Sequence, residues 1–271
     1  MNPPLVGEGS FALVTGASSG IGEAFARELA RRRVPLLLVA RSREKLERLS
    51  AELARLQGVR AEAMPADLAR PGAAAALFGE TEEAGRPVDL LINAAGFGYN
   101  GPQADLEPER LLELLQVDVM ATAEMTHRFL GAMRERRRGA ILNVGSTSGF
   151  IPLPFFAAYG ASKAFVLHFT HALHEEARRD GVTVTCLCPG YTKTNFYAVA
   201  GMRGAEGTPF PEMSPQAVAE IGLRAVGRKR AVVVTHPLDR LWIFSARFAP
   251  RSLPPRLAGA FFSRTRLSRP G

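Results

Sequence analysis

Cysteine is nearly absent: Cys186 and Cys188 are the two in 271 residues. They sit two apart in a β-rich run, so they point to one face of a strand and are poorly placed to bridge each other. This excludes a disulfide framework and suits a reducing compartment. Long apolar runs are missing too. Met1 to Ser10 lacks the apolar stretch of a secretory leader, and Val34 to Ala40, the longest apolar run of the first half, is far below membrane-spanning length. A soluble, cytoplasmic protein is expected. Acid is scarce at the C-terminus: from Arg224 onward there are 11 basic residues and one acid, Asp239. The net charge of +8 therefore belongs to the tail, and the preceding chain nets about −2. That distribution does not make a nucleic-acid-binding face, and none is expected.

With 46% hydrophobic residues, the chain can bury one large core. Short β-rich runs alternate with longer amphipathic segments from Phe11 to His236, a rhythm that predicts an α/β fold, a Rossmann-type doubly wound parallel sheet with helices on both faces. The predicted strands are Phe11 to Thr15, Pro35 to Ala40, Arg60 to Pro65, Leu90 to Asn93, Ala140 to Val144, Thr183 to Cys188 and Ala231 to Thr235. The predicted helices are Gly22 to Arg33, Arg43 to Gln57, Pro71 to Ala84, Pro108 to Arg138, Ala157 to Asp180 and Pro215 to Val226, with Ser42 and Ser214 as caps. Residues 1–236 read as one domain. Within it, Tyr191 to Met213 is too long for a plain connection and reads as a lid; residues 237–271 form a basic, apolar extension.

The first strand runs into Thr15-Gly16-Ala17-Ser18-Ser19-Gly20-Ile21-Gly22, and a helix follows. Glycines there allow a tight turn and close approach of backbone to a pyrophosphate, whose charge meets the free N–H groups of the helix start. The second strand ends Val39-Ala40-Arg41-Ser42, with no acid to hold ribose hydroxyls. An arginine in that place can pair with a 2′-phosphate, which points to NADP(H). Farther on, Tyr159 and Lys163 lie one helical turn apart. A phenol is a poor base at neutral pH, and a neighbouring ammonium brings it toward proton-transfer range. Ser146, at a strand end, is placed to hydrogen-bond a substrate oxygen.

Thr15 to Gly22, Asn93-Ala94-Ala95-Gly96, Ser146, Tyr159-x-x-x-Lys163 and Pro189-Gly190, in this order, resemble the short-chain dehydrogenase/reductase family over residues 10–236. The resemblance implies a cofactor site of Gly16, Ser18, Ser19, Gly20, Ile21 and Gly22 at the pyrophosphate and Asp67 with Leu68 at the adenine. Asn93, Ala94 and Gly96 would lie beside the cofactor, and Pro189, Gly190, Thr192 and Thr194 would meet the nicotinamide carboxamide. It further implies Tyr159 as general acid in reduction and base in oxidation, Lys163 on the nicotinamide ribose, Ser146 orienting the carbonyl, and a homodimer or homotetramer. One position departs from the pattern: Asp118 stands where the family usually carries an asparagine that positions a proton-relay water. A working relay with an altered pH profile is expected, against a competing reading of impaired catalysis that would leave a nucleotide-binding sensor or scaffold.

Phe97, the stretch from Gly149 to Phe156 and the lid residues Tyr191, Phe196, Tyr197, Met202 and Phe210 offer an apolar, aromatic wall suited to a hydrophobic aldehyde, ketone or secondary alcohol. His168, His171 and His174 recur every third residue, drift around their helix and have no matching ligand cluster, so no metal is expected. The tail from Leu238 to Phe262 mixes apolar residues with arginine. It suits a helix on an anionic membrane surface, a cover over the substrate pocket, or a subunit contact.

Overall fold

The computed structural model describes residues 9–202 and 211–263; Gly204, Gly207, Pro209 and Phe210 of the expected lid lie outside them. Seven parallel strands form one sheet in the order β3-β2-β1-β4-β5-β6-β7. They are β1 (Ala12–Thr15), β2 (Leu36–Ala40), β3 (Ala61–Pro65), β4 (Leu90–Asn93), β5 (Gly139–Val144), β6 (Val182–Cys188) and β7 (Val232–Val234). The central strands read as nearly unbroken apolar runs because both of their faces are covered, as a parallel sheet requires. On one face α1 (Gly20–Arg31) and α2 (Arg43–Gln57) pack through Phe25, Leu29 and Leu46. On the other, α3 (Ala73–Phe78) supplies Leu77, α4 (Pro108–Leu115) adds Leu114 to a separate cluster around Tyr159, and α5 (Thr122–Glu135) and α6 (Ala157–Ala177) supply residues such as Met125, Phe129 and Ala177. A short α7 (Phe196–Val199) and α8 (Pro215–Gly227) follow, with α8 on the face of α1.

Two expected helices differ in detail. The segment predicted from Pro71 begins at Ala73 and widens to a π-helical turn over Gly79–Glu83. The long helix predicted over Pro108 to Arg138 ends at Glu135 and is interrupted by a π-helical turn, Gln116–Ala121. Such turns insert an extra residue and re-aim the side chains beyond it; here the re-aimed residue is Asp118, turned fully into the interior. Ser214 caps its helix by accepting from the Ala217 N–H at 3.2 Å. Ser42 occupies the cap position of α2, but its hydroxyl makes no cap hydrogen bond.

The tail folds into α9 (Pro237–Ala246) and α10 (Leu253–Phe262), which pack over the C-terminal end of the sheet. Among the described residues no helix is long and apolar enough to cross a membrane. Cys186 and Cys188 are free, buried and on one face, with sulfurs 3.5 Å apart. His174 is buried, with Nδ1 2.8 Å from the Val184 carbonyl, while His168 and His171 face outward. The three histidines therefore do not converge.

Candidate active site

In a sheet of this order, β1 and β4 start chains that wind in opposite directions, and a crevice opens beyond their C-terminal ends. The sequence puts its chemistry there. Gly16, Ala94, Ser146 and Pro189 each follow within two residues of the ends of β1, β4, β5 and β6. The crevice is part of a cavity of about 710 Å³ that runs from Arg41 past Tyr159 to Phe262. It is lined by most of the expected residues: Gly16, Ser18, Ser19, Gly20, Ile21, Gly22, Arg41, Asp67, Leu68, Ala94, Gly96, Ser146, Tyr159, Lys163, Pro189, Gly190, Thr192 and Thr194.

Asn93 and Asp118 do not line it; both support it from behind. The Asn93 Nδ2 donates to Asn143 Oδ1 at 2.8 Å, and the Asn143 Nδ2 donates to Thr170 Oγ1 at 3.0 Å. This buried amide chain fixes β4 to β5 and to α6, so the two loops that carry Ala94 and Ser146 keep one spacing. Thr15 does the same at the glycine turn, accepting from the N–H groups of Ala94 at 3.0 Å and Ala95 at 3.1 Å.

The glycine turn has the shape a pyrophosphate needs. Gly16 adopts φ +67, and a Cβ there would lie 2.9 Å from the Ala94 backbone. A Cβ on Gly22 would collide with the Gly16 carbonyl oxygen. Neither position has room for a side chain, so the backbone N–H groups at the start of α1 stay open to the cavity. Arg41 sits at the rim, two-thirds exposed, with its guanidinium 3.0 Å from Glu113. The sequence treats Arg41 as a free cation; the fold gives it a carboxylate partner from α4. Ser42 and Lys45 line the cavity beside it, and Lys45 pairs with no carboxylate among the described residues.

At the centre, the Lys163 ammonium lies 3.3 Å from Asp118 Oδ2 and donates to the Val144 carbonyl at 3.2 Å. Asp118 also accepts from the Phe97 N–H at 3.1 Å and from the Ser162 hydroxyl at 3.2 Å. Gly96 makes room for this group: a Cβ there would stand 2.9 Å from Asp118 Oδ1 and 3.2 Å from the Lys163 Nζ. Burial pushes the Asp118 carboxyl upward, opposed by the charge of Lys163 and by the hydrogen bonds it accepts. Ser146 accepts from the Ser148 N–H at 3.1 Å, and its own proton serves its hydrogen bond with Tyr159.

Tyr159 corrects one expectation. Its phenol is pushed well above its ordinary value, first by burial and then by the negative charge of Asp118, with a hydrogen bond to Ser146 pulling the other way. A lowered value was expected from the nearby ammonium. The fold spends that charge on Asp118 instead.

The walls are apolar. Tyr159 packs between Phe156 and Phe196, with ring centroids at 5.9 and 5.1 Å, and Phe156 in turn meets Phe262 of the tail at 5.2 Å. Sequence reading left the tail's role open among three choices; the structure brings Trp242, Leu257, Phe261 and Phe262 to the cavity wall. It also missed Asp239. This side chain lines the cavity, is 4% exposed, and its Oδ2 finds no hydrogen-bond partner among the described residues. Burial raises its carboxyl, against a smaller pull from His236. The carboxylate rests on the Cα of Gly190, where any side chain would strike it. No local signal marks Asp239, which is 49 residues from the glycine it touches. In the loop before α7, the two hydroxyls expected to face a ligand are engaged internally: Thr192 Oγ1 donates to the Gly190 carbonyl at 3.2 Å, and Thr194 Oγ1 donates to the Thr192 carbonyl at 3.4 Å.

Comparison with known proteins agrees with this geometry. The family model described as short chain dehydrogenase matches residues 10–202. A very-long-chain 3-oxoacyl-CoA reductase of Anas platyrhynchos is 32% identical over 234 residues, covering 81% of this chain and 71% of the relative. Dehydrogenase/reductase SDR family member 7B of Bos taurus is 34% identical over 252 residues, covering 88% and 77%. Among solved structures, a short-chain dehydrogenase from Sphingobium yanoikuyae in complex with NADPH superposes with a TM-score of 0.79 at 31% identity, covering 90% of this chain and 97% of that one. The bulky-bulky ketone specific alcohol dehydrogenase from Comamonas testosteroni gives 0.75 at 27% identity, covering 90% and 99%. The crevice, its glycine turn and these matches lead to one conclusion: the chain belongs to the short-chain dehydrogenase/reductase family of nicotinamide-dependent oxidoreductases acting on CH–OH and C=O groups.

Proposed function

We propose that this protein is an NADP(H)-dependent reductase of bulky, hydrophobic aldehydes or ketones, with Tyr159 as the proton donor. The carrying observation is that one cavity joins the glycine turn and Arg41 to Ser146, Tyr159 and Lys163 and to an aromatic wall. The Tyr159 phenol is protonated at neutral pH, as phenols ordinarily are, and stands beside Ser146 and Lys163 in the cavity, where it can donate to an oxygen that gains negative charge. The cofactor, when bound, supplies the hydride. When substrate enters, the Ser146 O–H turns from Tyr159 to the substrate carbonyl and orients it, and Tyr159 delivers the proton to the same oxygen. Lys163 has three N–H bonds, two of them committed to Asp118 and Val144. The third is available for a ribose hydroxyl. Asp239 offers an unpaired carboxyl oxygen beside Gly190, fitting an amide N–H donor such as the carboxamide.

The aromatic wall supports a bulky apolar substrate, as do two similar proteins, a very-long-chain 3-oxoacyl-CoA reductase and an alcohol dehydrogenase specific for bulky-bulky ketones. Following NADPH absorbance across a panel of small and bulky carbonyls tests the reading. Turnover confined to small polar ketones sinks the substrate class, and tight NADPH binding without turnover on any compound favours a sensor.

Choice of NADP over NAD rests on Arg41, Ser42 and Lys45, which present two cations and a free hydroxyl at one end of the cavity. Each exposed cation on a phosphate contributes about tenfold in affinity, the lower end for a charged hydrogen bond. Arg41→Ala and Lys45→Ala are expected to raise the NADPH Kd by about tenfold each while leaving NADH unchanged. Equal losses for both cofactors would remove the phosphate assignment.

Asp118 sets the pH range. Its negative charge opposes phenolate formation at Tyr159, so Asp118→Asn lowers the tyrosine's pKa. Reduction needs the protonated phenol, so its alkaline limb moves to lower pH. Oxidation needs phenolate, so its rise begins at lower pH as well. Superimposable pH–rate curves for wild type and variant, or a shift to higher pH, would refute this role.

A further inference from the structure

Six of the eleven large apolar side chains that stand exposed among the described residues fall between Leu238 and Leu257. In α9 the buried face carries Asp239 and Ile243, and the opposite face presents Leu241 and Phe244 to the outside. Phe248, 77% exposed, packs edge-on against Phe244 at 5.2 Å. Arg240, Arg247, Arg251 and Arg256 stand exposed among them. The segment's one acid, Asp239, is turned inward, and the sequence continues with Arg264, Arg266 and Arg269.

We propose that α9 and α10 form a docking face for an anionic lipid bilayer, which holds the rim of the cavity against the lipid surface. Apolar side chains ringed by arginine and free of acid match the two attractions of a peripheral helix: burial at the acyl boundary, and charge pairing with anionic headgroups. A second copy fits poorly. A two-fold contact through this face would bring its arginines against their own copies with no exposed acid from the segment to offset them. The face is also continuous with the cavity, since Leu257 is 63% exposed and lines it, and Trp242 of α9 lines it from within. A hydrophobic substrate dissolved in lipid would meet the opening directly. Only that last consequence rests on the reductase reading; the docking itself does not.

The test uses the full chain and needs no turnover. Wild type is expected to co-sediment with phosphatidylcholine vesicles containing about 30% phosphatidylglycerol, at least about tenfold more than with phosphatidylcholine vesicles, and less as salt rises. Trp242 is the chain's one tryptophan, so brominated lipid should quench the emission and report that the cavity rim touches lipid. Leu241→Ser/Phe244→Ser/Phe248→Ser should abolish both signals, and Arg240→Gln/Arg247→Gln/Arg251→Gln should lower binding at least about tenfold, at about fivefold per arginine. NADPH affinity and sedimentation mass should stay as in wild type for both variants. Absence of wild-type binding, unquenched Trp242 in vesicle-bound protein, or variants that bind like wild type would overturn the proposal. A lower mass in either variant would also overturn it, by assigning the face to a subunit contact.

Discussion

Tyr159→Phe is expected to lower kcat for carbonyl reduction by about 100- to 10,000-fold, the usual contribution of a positioned general acid. NADPH affinity should change by no more than about twofold, because the hydroxyl and not the ring is removed. The ring's packing against Phe156 and Phe196 survives the substitution, so the fold has no cavity to absorb. The lost oxygen is bonded to Ser146, which keeps its acceptor contact with Ser148. The variant therefore separates chemistry from structure. Single-turnover absorbance with NADPH and a bulky ketone gives the rate, and a thermal melt gives the control. More than a tenth of wild-type kcat in a protein of unchanged stability would place the proton donor elsewhere.

Gly22→Ala is expected to weaken NADPH binding by about 10- to 100-fold, the equivalent of forcing one extra carbon into a packed site at about 1–3 kcal/mol. The atom it meets is the Gly16 carbonyl oxygen, part of the backbone rather than the end of a flexible side chain. Relief requires the turn itself to move, and the turn is held to Ala94 and Ala95 by Thr15. Displacing it misdirects the N–H groups at the start of α1, so affinity falls more than stability does. Titration of NADPH fluorescence alongside a melting curve distinguishes the two. Wild-type affinity in the variant would mean that phosphate is held without this turn.

Much of the site was legible because its parts are local. A strand, a glycine turn and a helix start are consecutive in the chain, and Tyr159 and Lys163 share one helical face, so spacing predicts their meeting. The cap at Ser214 is equally local: its partner is three residues away. The π-helical turn at Asp118 had no such signal. An inserted residue within a well-formed helix leaves the apolar pattern on both sides intact, and what it changes is the direction of one buried carboxylate. Arg41 shows the same limit. Nothing near it in sequence announces Glu113, 72 residues away.

The sequence by itself determined the alternating α/β architecture, the phosphate turn and the trio of Ser146, Tyr159 and Lys163, because hydrophobic period and short-range spacing are properties of the chain read in order. Tertiary structure decided the electrostatics and the walls. It buried Tyr159 near Asp118, the partner of Lys163, and so raised the phenol that the ammonium was expected to lower, and it folded the tail back so that Asp239 and Phe262 enter the cavity. A pKa depends on which charges burial brings within a few ångströms, and a cavity wall on which distant helices pack across a crevice. Neither distance is written in residue order.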